Sequence, residues 1–244
     1  DNPKGTSRGY LSIGRKNGKS ALIAAILLAH LVGPEAKQNS QIVSGARSRK
    51  QAGIIFKLAE KMIRLSPRLV GIIKIVPSEK KLIGLPMNVE YEASSAEAGT
   101  AHGFSPVLAI LDEVGQVRGP TDNFVEAIET SQGAHDDPLL LAISTRAATD
   151  GDLFSIWLDD AKNAKDPRIV SHVYTAPEDC EVMDRKAWKA ANPALGKFRS
   201  LKNLQDFAKQ ADRLPAKENS FRWLYLNQRI EATSPFLNRG EWEA

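Results

Sequence analysis

The sequence has few of the residues from which disulfide-rich, zinc-binding or membrane-spanning proteins are built. One cysteine, Cys180, excludes an internal disulfide, and with four scattered histidines in 244 residues a structural zinc site is disfavoured. The longest apolar stretch, residues 21–32, contains His30 and is shorter than the roughly 20 residues that cross a bilayer. No signal peptide is visible. We therefore expect an intracellular protein with no membrane partner.

The sequence also lacks internal repeats, low-complexity tracts and a strong excess of either charge. Lys and Arg number 33 against 29 Asp and Glu, and the net charge of +4 permits a polyanionic partner without indicating one. Hydrophobic residues make up 42% of the chain and charged residues 25%, as in ordinary globular proteins. At this length we expect one complete α/β core with a smaller appendage.

Apolar runs alternate with helix-period segments through the first two thirds of the chain, which is typical of βαβ units and a mostly parallel sheet. The predicted strands of this sheet are Gly9–Ile13, Gln41–Ser44, Val107–Leu111 and Leu139–Ile143. The predicted helices between them are Lys19–Leu31 and Ser48–Leu65. Three shorter segments are predicted as small strands or a hairpin-like excursion beside the main sheet: Ile72–Val76, Lys81–Leu85 and Asn88–Glu92.

After Gly151 the strand signals thin out to Arg168–Tyr174, and helical patterns dominate. The predicted helices of this part are Asp184–Ala191, Ser200–Arg213 and Ala216–Leu226. We therefore divide the chain into three parts: a core over residues 1–165, a mostly helical lid or linker subdomain over residues 166–231, and the start of a further linker over residues 232–244.

The strongest motif lies between the first predicted strand and the first predicted helix. It is a glycine-rich loop followed by lysine and serine: Gly14, Arg15, Lys16, Asn17, Gly18, Lys19 and Ser20. In such a phosphate-binding loop (P-loop), backbone N–H groups surround phosphates at a helix N-terminus, the lysine reaches the terminal phosphates, and the serine hydroxyl binds Mg²⁺. The first glycine stands one position later than usual. Arg15 is either a catalytic contact to the γ-phosphate or a solvated surface residue.

Two carboxylates, Asp112 and Glu113, directly follow an apolar strand. The carboxyl ends of buried parallel strands are where ligands bind in open α/β sheets. We expect Asp112 to hold Mg²⁺ through water and Glu113 to orient or deprotonate the attacking water. A polar turn after a strand is the plainer alternative, which the upstream P-loop disfavours. A glutamate beside the metal-binding aspartate is typical of P-loop ATPases that do mechanical work, so we predict a P-loop NTPase fold of the ASCE type that binds ATP and Mg²⁺.

A second apolar strand ends in Ser144 and Thr145, whose hydroxyls can contact the γ-phosphate or its water and report the nucleotide state. A helix cap is the alternative interpretation of these two residues. Oligomeric motors commonly stabilise the transition state with an arginine, sometimes from a neighbouring subunit. Four arginines near strand ends or loops are candidates: Arg47, Arg49, Arg118 and Arg146. The sequence does not choose among them.

Together the loop 15–20, the strand end 111–113 and the segment 143–145 resemble the large subunit of tailed-phage terminases, in the HK97-like branch, and the resemblance spans about residues 9–230. It implies an ATPase domain that moves double-stranded DNA into a procapsid, with the P-loop on ATP, Asp112 and Glu113 on metal and water, and residues 144–145 in coupling. The implied partners are DNA, the portal protein, the small terminase subunit and further copies in a ring. The implied location is the host cytoplasm and, transiently, the procapsid portal.

Two features depart from that family. Its adenine-contacting segment lies upstream of the P-loop, where about a dozen residues are present here. Its RNase H-like nuclease domain would begin near the end of this chain, so we expect no nuclease activity from these residues. Two alternatives stay open: another P-loop nucleic-acid motor, such as a helicase, and a nucleotide-binding module that does not hydrolyse.

Overall fold

The computed structural model describes residues 5–96, 103–164 and 166–230, and the predicted linker over residues 232–244 lies outside these ranges. The strands are β1 (Arg8–Ile13), β2 (Gln41–Ala46), β3 (Ile73–Val76), β4 (Lys81–Gly84), β5 (Val89–Ser95), β6 (Pro106–Asp112), β7 (Leu139–Ser144) and β8 (Ile169–Tyr174). The helices are α1 (Lys19–Val32), α2 (Arg49–Leu65), α3 (Pro67–Val70), α4 (Asn123–Ser131), α5 (Leu153–Asn163), α6 (Arg185–Ala191), α7 (Leu201–Arg213) and α8 (Pro215–Tyr225). Within the described ranges, no helix is both long and apolar enough to cross a membrane.

The strands form one sheet in the order β3-β4-β5-β2-β6-β7-β1-β8. The strands from β5 to β8 in this order run parallel, whereas β3 and β4 add an antiparallel edge. The carboxyl ends of the parallel strands therefore meet at one edge of the sheet. The loops that follow β1, β6 and β7 lie at this edge, and they carry the three predicted motifs.

Helices cover both faces of the sheet because its central strands are apolar on both sides. All residues of β6 are buried. Leu108 and Ile110 pack with α1 and α2 on one face, and Ala109 and Leu111 pack with α4 and α5 on the other. The predicted α/β class, a mostly parallel sheet flanked by helices, is confirmed.

The predicted strands and helices of the core are confirmed to within a few residues at their ends, and two strand pairings join segments that the sequence analysis placed apart. β5 pairs parallel with β2, so the small strands are part of the main sheet and not an excursion beside it. β8, which a boundary at residue 165 assigns to the helical subdomain, pairs parallel with β1. Most residues of β8 are exposed, as is common in an edge strand, so this segment lacks the apolar run of a buried strand.

Helices α6, α7 and α8 pack around a core of their own. Trp188 is fully buried in it, and its indole N–H donates to the Val182 carbonyl at 2.8 Å. The buried positions of α7, Leu204, Ala208 and Ala211, recur at helical spacing and face this core. The predicted helical subdomain is therefore a packed unit that follows β8.

Asn227 joins this helical subdomain to the sheet. It lies just beyond α8, is fully buried and has a left-handed backbone, with φ 55°. Its amide group donates to Ser12 Oγ at 3.0 Å and to the Tyr174 carbonyl at 2.9 Å, and its oxygen accepts from Arg146 N at 2.7 Å. One side chain thus binds the ends of three neighbouring strands, β1, β8 and β7.

We expect Asn227→Ala to lower the free energy of unfolding by about 3 kcal/mol, because three polar groups, one of them fully buried, lose their partner and alanine must adopt a left-handed backbone. The midpoint of urea unfolding measures this loss. Asn203→Ala, at an exposed position of α7, is the control and should change the midpoint little. An Asn227→Ala chain that unfolds at the parental urea concentration would contradict the proposed joining role.

Candidate active site

The P-loop, residues 14–20, connects the end of β1 to the start of α1. Lys16 and Gly18 have left-handed backbones, with φ 67° and 83°, and Gly18 is the N-cap of α1. No side chain in the described ranges caps the first turn of this helix. The free N–H groups at the helix start carry a partial positive charge, so the loop can bind an anion such as a phosphate.

Lys19 points inward from the first position of α1. Its side chain is 7% exposed, and its Nζ donates to the Ile13 carbonyl at 3.1 Å and lies 4.0 Å from Glu113 Oε1. Burial lowers the pKa of Lys19, and the negative charges of Glu113 and Asp112 oppose this effect. The structure therefore brings the predicted lysine and the predicted acidic pair together.

Asp112 and Glu113 occupy the end of β6 in different ways. Asp112 is 6% exposed, and its Oδ1 has no hydrogen-bond partner among the described residues. Burial, followed by the charge of Glu113, raises the pKa of Asp112 to about 7. Glu113 has a left-handed backbone, φ 59°, and its N–H donates to the Ile143 carbonyl at 2.7 Å. This backbone turns the Glu113 side chain toward Lys19.

Ser144 connects the end of β7 to the acidic pair. Its hydroxyl lies 3.4 Å from Glu113 Oε2, to which it donates, and accepts from Gly115 N at 2.9 Å. A Cβ added at Gly115 would lie 2.3 Å from the Thr145 carbonyl oxygen, so this close approach requires glycine. The predicted coupling residues, Ser144 and Thr145, are both buried beside the turn that carries Glu113.

The oxygen atoms at this edge suit a hard divalent cation. Mg²⁺ prefers carboxylate, hydroxyl and water oxygens. Asp112 supplies a buried carboxylate oxygen without another partner in the described residues, and the Ser20 hydroxyl belongs to the first turn of the neighbouring helix α1. Asp112 and Ser20 are therefore the residues that could hold Mg²⁺, as predicted from the sequence.

Two of the candidate arginines are exposed at the same edge. Arg47 follows β2, and its Nη1 donates to the Gln116 carbonyl at 2.7 Å. Arg118 pairs with Asp152 at 3.2 Å, and its side chain is 52% exposed. Arg49 begins α2, but its side chain lies outside the description. Arg47 and Arg118 are thus available to a neighbouring molecule.

Arg146 is enclosed by its own chain. Its N–H donates to Asn227, its carbonyl accepts from Trp223 Nε1 at 2.6 Å, and its side chain is partly buried. Burial, reinforced by the positive charge of Arg229, lowers the pKa of Arg146. In contrast, the side chain of Arg15 in the P-loop is exposed.

A loop of the helical subdomain closes against the P-loop, and no sequence motif indicates this contact. We call residues 192–199, between α6 and α7, the clamp loop. Asn17 Nδ2 donates to Asn192 Oδ1 at 2.7 Å and to the Gly14 carbonyl at 2.9 Å. Ala194 N donates back to Asn17 Oδ1 at 3.3 Å. Asn17 therefore joins the P-loop to residues more than 170 positions away in the sequence.

A buried arginine completes the contact with the clamp loop. Arg199 is 6% exposed, and its guanidinium donates to the Arg15 carbonyl and to Asn192 Oδ1. The guanidinium also lies over the Tyr225 ring, 5.4 Å from its centroid. Burial lowers the pKa of Arg199 to about 10, so the group stays charged at neutral pH. Arg15 N donates to the Leu224 carbonyl at 2.8 Å, so the helical subdomain holds both backbone groups of Arg15.

The raised pKa of Asp112 predicts a pH-dependent stability. The folded chain keeps a proton on this carboxyl up to about pH 7, whereas an unfolded chain releases it near pH 4. The fold therefore loses stability as the pH rises from about 4 to 7, because the unfolded chain releases the proton whereas the folded chain keeps it, and the loss is complete above that range. At pH 8 we expect metal-free Asp112→Asn to have a melting temperature a few degrees above that of the parent, because the variant lacks the buried charge. Each gain of about 1 kcal/mol in the free energy of unfolding raises the melting temperature by roughly 2–4 °C in a chain of this size.

Differential scanning calorimetry at pH 8 and pH 4.5 checks this prediction. The gain in melting temperature should shrink at the lower pH, which lies close to the unfolded pKa of the carboxyl, so that little of the pH-dependent loss has accumulated. Asp206→Asn, at an exposed position of α7, is the matched control and should show no such gain. An Asp112→Asn variant that is less stable than the parent at pH 8 would contradict the charge penalty.

Comparisons with known proteins agree with this geometry. Residues 3–165 match the family described as the terminase large subunit, ATPase domain. The chain is 63% identical over 243 residues to the terminase large subunit of Enterobacteria phage HK97, and the alignment covers 100% of this chain and 48% of that protein. The crystal structure of the HK97 large terminase superposes with a TM-score of 0.92 and 63% identity, covering 100% of this chain and 51% of that one. This chain thus spans about half the length of these relatives.

More distant structures share the fold. The large terminase ATPase domain of Thermus phage P74-26 superposes with a TM-score of 0.66 at 18% identity, over 91% of this chain and 88% of that one. The large terminase of a thermophilic bacteriophage, in complex with ADP, superposes with a TM-score of 0.54 at 12% identity, over 70% of this chain and 40% of that one. The resemblance inferred from the sequence is confirmed: this chain belongs to the terminase large subunit family and corresponds to its ATPase domain.

Proposed function

We propose that this chain binds ATP with Mg²⁺ at the P-loop and hydrolyses it to drive double-stranded DNA into a procapsid. The observation that carries the proposal is the meeting of Lys19, Asp112 and Glu113 at one buried edge, with Lys19 Nζ 4.0 Å from Glu113 Oε1. Support comes from the 63% identity to the HK97 large terminase along the whole chain and from the ADP complex of the thermophilic phage terminase. A helicase and a non-hydrolysing module are not favoured by this kinship.

The P-loop binds the phosphates in this proposal. The N–H groups of the loop and of the first turn of α1 surround the β-phosphate, and Lys19 exchanges the Ile13 carbonyl for phosphate oxygens. Ser20 and Asp112 hold Mg²⁺, which when bound neutralises charge on the phosphate oxygens. Lys19 acts in the ground state and in the transition state alike, because it faces negative charge in both.

Glu113 organises the attacking water. Its left-handed backbone and the hydroxyl of Ser144 fix the carboxylate, so the group is positioned before ATP arrives. The carboxylate accepts a proton from the water as the water attacks the γ-phosphorus, the bond from that phosphorus to the β–γ bridging oxygen breaks, and ADP leaves with this oxygen. Arg15, exposed on the P-loop, is our candidate for a catalytic contact to the γ-phosphate in the same subunit.

The segment after β7 couples ATP hydrolysis to motion of the helical subdomain in this proposal. Ser144 touches the catalytic carboxylate, and Arg146, two residues later, is held through its backbone by Asn227 and Trp223 of the helical subdomain. A change at Glu113 on hydrolysis can therefore reach the helical subdomain through directly bonded groups. We assign Ser144 and Thr145 this coupling role, with the helical part after β8 as the lid and linker.

The partners in this proposal are double-stranded DNA, the portal protein, the small terminase subunit and further copies of the chain in a ring. Ring motors complete a site with an arginine from the adjacent copy. Arg47 and Arg118 suit this role better than Arg146, because their side chains are exposed whereas Arg146 is enclosed by its own subunit.

We expect Lys19→Ala to weaken ATP binding and to abolish hydrolysis, whereas Glu113→Gln keeps binding and loses hydrolysis. The first change removes a charge that touches the phosphates; the second keeps the shape of the side chain but removes its basicity. Equilibrium ATP binding and phosphate release, measured on both variants, check this. Lys57→Ala and Glu126→Gln, at exposed positions of α2 and α4, are the controls. Parental turnover in Glu113→Gln would refute its catalytic role.

We expect the isolated chain to hydrolyse ATP slowly and to accelerate on assembly, because an arginine supplied in trans contributes about 10³–10⁵ in rate. Phosphate release is measured against protein concentration. Glu113→Gln chains are then mixed in turn with chains that carry alanine at one arginine: Arg47, Arg49, Arg118 or Arg146. The true trans arginine is the one whose alanine chain is nearly inactive alone and gains activity in this mixture, because the Glu113→Gln neighbour supplies the missing arginine. A high activity that stays flat with concentration and ignores all four changes would show a site complete in one subunit.

A further inference from the structure

An exposed aromatic side chain stands beside the P-loop. Phe198 is 71% exposed, more than any other aromatic side chain in the described ranges. It belongs to the clamp loop and precedes the buried Arg199 directly. An isolated exposed apolar residue needs no explanation on a mobile surface loop, so its surroundings decide whether it has a role.

The clamp loop holds Phe198 in a fixed position. Lys197 N donates to the Ala194 carbonyl at 3.0 Å, and Gly196 N donates to the Arg199 carbonyl at 3.0 Å. The Arg199 side chain is buried, with hydrogen bonds to the P-loop and a cation–π contact with a tyrosine ring. The phenyl ring therefore belongs to a turn that is held by its own backbone hydrogen bonds and by the buried side chain of Arg199.

The ring lies against the residue that ends the glycine-rich part of the P-loop. A Cβ added at Gly18 would lie 3.0 Å from Cζ of Phe198 and 3.3 Å from its Cε2. The contact uses the far edge of the ring, and most of the ring surface stays open to solvent. If Phe198 served to pack against Gly18 alone, its faces would be expected to be covered.

We propose that Phe198 is the platform on which the base of the bound nucleotide packs, which rests on the proposed function of the P-loop. Phosphates held by the P-loop and α1 leave the ribose and base directed away from the loop, and Phe198 is the exposed aromatic ring beside it. Every base has a flat π face, so an aromatic ring binds bases by stacking without reading their edges. The larger purine rings overlap the phenyl ring more than pyrimidines do, so the platform favours purine nucleotides.

Binding of Mg²⁺-ATP and of Mg²⁺-tripolyphosphate separates the base from the phosphates. We expect Phe198→Ala to weaken ATP on the order of tenfold, the effect of losing one base–aromatic stack, and to leave tripolyphosphate unchanged. Phe198→Trp should bind ATP at least as tightly as the parent. Leu214→Ala, which removes a 43% exposed side chain between α7 and α8, is the matched control and should change neither ligand. Phe198→Ala should also reduce the preference for ATP and GTP over CTP and UTP.

Three results would overturn the platform. The first is an ATP affinity that is unchanged in Phe198→Ala. If that variant also loses self-association in sedimentation, the result would assign the ring to contact with a second copy of the chain. The second is an equal loss of ATP and tripolyphosphate, which would assign Phe198 to shaping the P-loop. The third is a parental chain that binds neither ligand, which would refute the proposed ATP site itself. Parental binding of both ligands separates failure of the platform from failure of that site.

Discussion

Three charged side chains share a buried edge of the sheet, and the surrounding structure must hold them there against their own electrostatics. Lys19 lies 4.0 Å from Glu113, while the carboxylate of Asp112 is buried and its Oδ1 has no partner among the described residues. Burial therefore raises the pKa of Asp112 and lowers that of Lys19. Because two carboxylates share one lysine, the buried charge of Asp112 is only partly compensated, and keeping it lowers the stability relative to an apolar edge. A fold retains this arrangement where the charges have a function.

The backbone around these charges has little freedom to relax. Glu113 has a left-handed conformation, and Gly115 approaches the Thr145 carbonyl so closely that a side chain would collide. The Ser144 hydroxyl joins the two residues, because it accepts a hydrogen bond from Gly115 N and donates one to the Glu113 carboxylate. The position of the carboxylates is thus set by two strand ends together, which gives the site the preorganisation that electrostatic catalysis requires.

The helical subdomain is part of the site through contacts at both ends of this charged edge. Asn192 and Arg199 hold the P-loop, whereas Asn227 holds the ends of β1, β7 and β8. Leu224 and Asn227 lie three residues apart at the end of α8, and they bond to the P-loop and the strand ends respectively. A shift of α8 would therefore disturb both regions together, and in the proposed function this links the bound nucleotide to the position of the helical subdomain.

The sequence by itself determined the elements whose signals are local. The P-loop lies within seven consecutive residues, and Asp112 and Glu113 directly follow a strand that is apolar throughout, so both motifs could be located before their contacts were known. The parallel α/β class followed from the alternation of apolar strands with amphipathic helices. Helices α4 and α5 were not predicted, although each has buried apolar residues at helical spacing: Val125 and Ile128 in α4, and Phe154 and Leu158 in α5.

Only the tertiary structure decided how these pieces meet. β8 lacks a buried pattern because it is an edge strand, so its pairing with β1 depends on the neighbouring strand. The hydrogen bonds of Asn17 to Asn192 and of Arg199 to Arg15 join residues 175 and 184 positions apart. Such contacts carry no periodicity or spacing in the sequence, because hydrogen bonding and burial depend on distance in space. The sequence therefore located the chemical groups of the site, and the packing of the helical subdomain against the sheet decided which of them are buried, paired or exposed.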